Sequence, residues 1–107
     1  MSNYRYMRTL LMFDLPVVTA IERRHYRQFV KFIKSIGFIM FQESIYVKLS
    51  VNGGAIEKVK KAVEAHLPPK GMVSLLTVTE KQFGEIDNLL GEFVTDIVHT
   101  DNRLVEL

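Results

Sequence analysis

The 107-residue sequence has no cysteine and no tryptophan, and only three prolines and six glycines. Without cysteine, neither a disulfide framework nor a thiolate metal site can form. No apolar run approaches the ~20 residues of a membrane span. The opening Met1-Ser2-Asn3-Tyr4-Arg5-Tyr6 lacks the apolar core of a secretory signal. Gly53-Gly54 stands without the rest of a phosphate-loop pattern. His25, His66 and His99 are scattered and not at ligand spacing, which argues against zinc. Internal repeats and low-complexity segments are missing too. What remains is a soluble, cytoplasmic chain with room for one core and no membrane partner.

At 48% hydrophobic and 24% charged, the composition is that of a globular protein. The net charge of +2 hides a polarity. Residues 1–70 carry 12 Lys/Arg against 5 Asp/Glu, a net +7; residues 71–107 carry 2 against 7, a net −5. Such asymmetry points to an anionic partner for one part of the chain and another kind of contact for the rest.

Leu10-Leu11-Met12-Phe13 is apolar at every position, as suits an inner strand, and is followed by Asp14-Leu15-Pro16. Pro16 ends the ladder and biases Leu15 to an extended conformation, so Asp14 stands at the rim of a sheet. Thr19 and Glu22 form a capping-box signature, and Tyr26, Phe29, Ile33 and Ile36 follow at helical spacing up to Gly37. The spacing predicts a helix over 20–36. Strands are expected at 38–42 and 44–49, joined by a tight turn, with Ile45, Val47 and Leu49 on one face and Ser44, Tyr46 and Lys48 on the other. A second helix is expected over 54–67, striped by Ile56, Val59, Val63 and Leu67 and stopped by Pro68-Pro69; a fourth strand runs over 72–79.

Strand, helix, strand, strand, helix, strand is the split β-α-β order of a ferredoxin-like α+β fold. Two helices cover only one face of its four-stranded antiparallel sheet. Leu10, Met12 and Asp14 then lie on the uncovered face, which is too apolar to stay wet, so a homodimer through that face is expected. Tyr46 is the aromatic expected there. Residues 1–84 form the domain. Residues 85–107 form a tail, acidic and turn-rich, with possible strands at 86–90 and 103–107 that pack on the dimer or on a partner.

Two constellations bear on chemistry. Arg23, Arg27, Lys31 and Lys34 fall at i, i+4, i+8 and i+11, one stripe along the first helix, with Arg24 beside it and Arg5 and Arg8 extending it. Such a stripe suits a phosphate backbone; the plain alternative is a solvated face, although here it lacks the interleaved acids that usually support one. Lys58, Lys60, Lys61 and Lys70 read as solvated. Asp14 either caps the turn before Pro16 or is a metal ligand. One carboxylate does not make a magnesium site, but Asp14 from a symmetry mate would supply a second at the dimer axis.

Phe13-Asp14-Leu15-Pro16, the Arg/Tyr-rich helix, the run from Gly37 through Gln42-Glu43-Ser44-Ile45-Tyr46-Val47 to Leu49, and Leu75 through Thr79-Glu80-Lys81-Gln82-Phe83 together resemble CRISPR-associated protein family two. Tyr4-Arg5-Tyr6-Met7-Arg8 resembles the branch found beside type II effector systems. The resemblance covers about residues 4–83 closely and the tail loosely. It implies a ferredoxin-like homodimer at the centre of a spacer-acquisition complex, flanked by dimers of the CRISPR integrase (Cas family one), holding a short double-stranded DNA without reading its sequence. It implies as the alternative a metal-dependent endonuclease on RNA or DNA, with Asp14 as the catalytic residue and as a ligand of one Mg2+ shared by two chains. The family's DNA contacts are basic, so Arg5, Arg8, Arg23, Arg24, Arg27, Lys31 and Lys34 are the candidates; its C-terminal strands engage the integrase, which would make the tail a docking segment.

Overall fold

The computed structural model describes residues 6–91. Arg5 and the expected strand at 103–107 lie outside these residues. Seven elements follow in order: β1 (Met7–Asp14), α1 (Ala20–Ser35), β2 (Ile39–Gln42), β3 (Ile45–Ser50), α2 (Gly53–Glu64), β4 (Met72–Thr79) and α3 (Glu80–Gly84). The strands form one antiparallel sheet in the order β2-β3-β1-β4. This is the ferredoxin-like α+β arrangement expected. No described helix is long and apolar enough to cross a membrane.

α1 starts where its capping box requires. The Thr19 hydroxyl accepts the Glu22 N–H, and the Glu22 carboxylate accepts the Val18 and Thr19 N–H groups at 3.0 Å each. It ends at Ile36 with Gly37 just beyond, at φ +107, where a glycine has no steric penalty. α2 ends three residues before the expected boundary. Pro68 biases Leu67 away from helix, and the last turn tightens as the His66 N–H bonds the Val63 carbonyl.

The main core lies between the helices and one sheet face. Leu11, Phe13 and Leu15 meet Phe29 and Ile33 of α1 and Val59 and Val63 of α2. The Phe13 ring is at its centre, edge-on to Tyr26 and Phe29 at 5.8 and 5.7 Å and stacked on Tyr46 at 5.9 Å. Tyr46 is therefore in the helix-covered core, not on the open face as expected. Register decides this: Tyr46 pairs with Leu11 of β1 and shares its side of the pleat. Burial, and then the neighbouring Tyr26, push its hydroxyl above the ordinary value of 10.0.

The opposite sheet face is not wholly open. α3 begins at a second capping box, Thr79 with Gln82, and carries Phe83 back under the sheet. Phe83 and Ile86 join Leu10 and Ile45 around buried Phe41 and Val47. Residues 86–90, expected as a strand, pair with no described strand; Ile86 serves as cover for this small cluster instead.

Candidate metal and nucleic-acid surfaces

Asp14 is the last residue of β1 and pairs with Met72 of β4. On its other side the Phe13 N–H donates to the Ser44 carbonyl at 3.1 Å, so the strand end is held from both flanks. Alternation along β1 puts Leu11 and Phe13 in the core and Met12 and Asp14 on the other face. The Asp14 carboxylate is exposed and takes no hydrogen bond or ion pair from any described residue. No described N–H uses it as a turn cap, so the capping alternative has no support in the geometry.

No three described His, Cys, Asp or Glu side chains gather into a metal site. The chain offers one hard oxygen ligand at this rim. Magnesium is commonly held by one or two carboxylates with water and substrate phosphate completing its shell. The donor set therefore fits Mg2+ as an ion that takes one carboxylate from this chain, with water, substrate phosphate or Asp14 of a second copy to complete its shell.

The basic candidates separate in space. Arg24, Arg27, Lys31 and Lys34 are exposed on α1 and ion-paired to no described residue. From Arg23 to Lys34 the stripe runs ~16 Å along the helix. Arg23 is partly committed: its guanidinium donates to the carbonyls of Val18 at 2.7 Å and Val17 at 3.3 Å, bracing the turn before α1. Arg8 departs from the expectation altogether. It is 9% exposed, on the far side of the sheet, and forks onto Glu80 through Nε at 2.6 Å and Nη2 at 2.9 Å. Its guanidinium carbon also lies 4.8 Å from the centre of the Phe83 ring. Arg8 is thus engaged in holding α3, away from the α1 stripe that it was expected to extend. Its partner is 72 residues away in sequence. A signal for α3 was nonetheless present, since Thr79 and Gln82 repeat the capping-box spacing of Thr19 and Glu22.

The sheet lies between the α1 stripe and the Asp14 carboxylate, so within one chain the two do not converge on one ligand. A groove of about 200 Å3 beside the start of α1, lined by Leu15, His25, Tyr26 and Pro69 among others, contains none of the residues predicted for the site except by adjacency to Asp14 along the chain.

Residues 7–86 match the sequence model of the family described as CRISPR associated protein Cas2. The chain belongs to that family. Among curated Cas2 relatives, the CRISPR-associated endoribonuclease Cas2 of Treponema denticola is 44% identical over 101 residues, covering 94% of this chain and all of the relative. The protein of the same name from Streptococcus mutans is 50% identical over 101 residues, with 94% and 93% covered. That of Ligilactobacillus salivarius is 42% identical over 101 residues, with 94% and 100% covered. The span matched by the Cas2 family contains Asp14, the α1 stripe and α3 with Phe83 and Ile86.

Proposed function

We propose that this Cas2-family chain acts in CRISPR spacer acquisition as a dimeric scaffold, binding double-stranded DNA without sequence preference between dimers of the integrase. The observation that carries the reading is the α1 stripe: Arg27, Lys31 and Lys34, with Arg24 beside them, project into solvent with no acid among the described residues to neutralise them. Regularly spaced cations on a rigid helix bind phosphates, and phosphate contacts set register without reading bases. A protein that must accept any DNA needs that kind of contact. Two copies meeting through their apolar sheet faces would carry one stripe on each outer side.

The test is duplex DNA binding across a salt series. Arg27→Ala/Lys31→Ala is expected to weaken binding and to flatten the slope of log K against log salt by about two for each stripe the duplex touches, while Asp14→Ala binds as wild type. An unchanged slope in the double variant would remove the stripe from the binding surface.

A second reading, a Mg2+-dependent endonuclease, is favoured by the Asp14 carboxylate, which has no partner among the described residues, and by the word endoribonuclease in the relatives' names. Bound between two Asp14 side chains, the ion would supply a Lewis acid for a phosphate oxygen or for water. This chain's part would be to present each carboxylate from a strand end that cannot drift. Cleavage of RNA or DNA that needs divalent metal and is lost in Asp14→Ala would establish it.

A further inference from the structure

We propose that Gly71, with Ser44 opposite it, sets where the Asp14 carboxylate stands and is a positioning residue for a metal ion shared by two chains. The inference rests on the second reading above and deepens it.

Gly71 has φ +101, a conformation that strains any L side chain. A Cβ placed on it would lie 2.5 Å from the Asp14 carbonyl oxygen, 3.1 Å from the Leu15 Cα and 2.8 Å from the Leu15 Cδ2. The first two are backbone atoms, so no rotamer change relieves the clash and the end of β1 has to move. The opposite flank is pinned as well. The Ser44 carbonyl holds the Phe13 N–H, and Ser44 is the one described non-glycine residue with positive φ, at 68°. Strain kept in a backbone that borders an exposed carboxylate is the kind of cost a fold retains where position matters.

Position matters here because of symmetry. An ion between two Asp14 carboxylates sets both oxygens at about 2.0–2.1 Å. Any displacement of one strand end is repeated by the other, so the gap between the two oxygens changes by up to twice the shift. Neighbours that orient a ligand are commonly worth about 10–100-fold in metal affinity.

Gly37 provides the control. It has nearly the same φ, +107, but its Cβ would meet first the Lys48 Nζ, the free end of a flexible side chain. Gly37→Ala thus carries the same backbone strain without pushing on β1. The experiment is calorimetric titration of the full chain with Mn2+ alone, alongside thermal denaturation, for wild type, Asp14→Ala, Gly71→Ala and Gly37→Ala. Expected are uptake by wild type, none by Asp14→Ala, affinity lowered about tenfold or more in Gly71→Ala, and wild-type affinity in Gly37→Ala although its Tm also drops. Should Gly71→Ala not fold, Ser44→Val strains the opposite pin at the hairpin turn and is expected to lower Mn2+ affinity likewise. If Asp14→Ala loses Mn2+ but Gly71→Ala, or in its place Ser44→Val, binds as wild type, the positioning role is overturned and the metal reading stands. If wild type and Asp14→Ala behave alike, the metal reading falls and takes the positioning role with it.

Discussion

Arg8 and Arg27 are the same residue type with opposite employment. Arg27 stands in water on α1 with no described partner, while Arg8 is buried with its fork closed on Glu80 and its plane near Phe83. Removing the acid would strand a guanidinium that is 9% exposed as a residue. Glu80→Ala is therefore expected to cost about 1.5–3 kcal/mol, the range for hydrogen bonds to a charged group, read by urea or thermal unfolding. Glu80→Gln keeps an acceptor and is expected to lose less. Equal stability of Glu80→Ala and wild type would show that α3 is not held by this pair.

Among the elements, α1 was the most legible. Its capping box, its apolar spacing and Gly37 all agree, so local chemistry alone places both ends. Glu22 adds a pH dependence to its first turn. The hydrogen bond from the Thr19 N–H, helped by that from Val18, holds its carboxyl below the ordinary 4.5, against a desolvation that opposes the shift. A folded value below the unfolded one means the support is present above 4.5 and disappears as pH falls through the lowered value. Amide exchange in the first turn of α1 is expected to speed up as pH is taken below 4.5, beyond the intrinsic pH effect, and to lose that extra change in Glu22→Gln. Thr19→Ala is expected to cost about 1 kcal/mol of stability. α3 shows the reverse case. The same box at Thr79 and Gln82 marks its start, but five residues of helix have no periodicity from which to read a buried side. Only the fold of the chain under the sheet reveals that Phe83 packs on Phe41, at 5.4 Å between ring centres.

For the whole molecule, the sheet face opposite the helices is the one left partly uncovered. Phe83 and Ile86 seal one part of it, yet Leu76 stays 51% exposed and Met72 68%. Both β2 and β4 are outer strands, and on β4 Met72 pairs with Asp14 while Leu76 pairs with Leu10, on the same face of the sheet. A dimer through this region would bury them and bring two Asp14 residues together. Leu76→Glu is expected to shift such a dimer to monomer in light scattering while leaving Tm of the monomer fold nearly unchanged, since the side chain is already half in water. A wild type that is monomeric at tens of micromolar (about that concentration is usual for such measurements) would rule out the dimer on which the scaffold reading depends.

The sequence by itself determined the order of the first six elements, the ends of α1, the Asp14 rim and the α1 stripe, because each rests on residues within a few positions of one another and on fixed local geometry. Tertiary structure alone decided which side of the pleat Tyr46 occupies, that Arg8 pairs with Glu80, and that Gly71 sits where a Cβ would strike the Asp14 carbonyl. Those facts depend on strand register and on contacts across more than fifty residues of chain, where local propensity carries no information and only the summed packing of the core selects among the pairings.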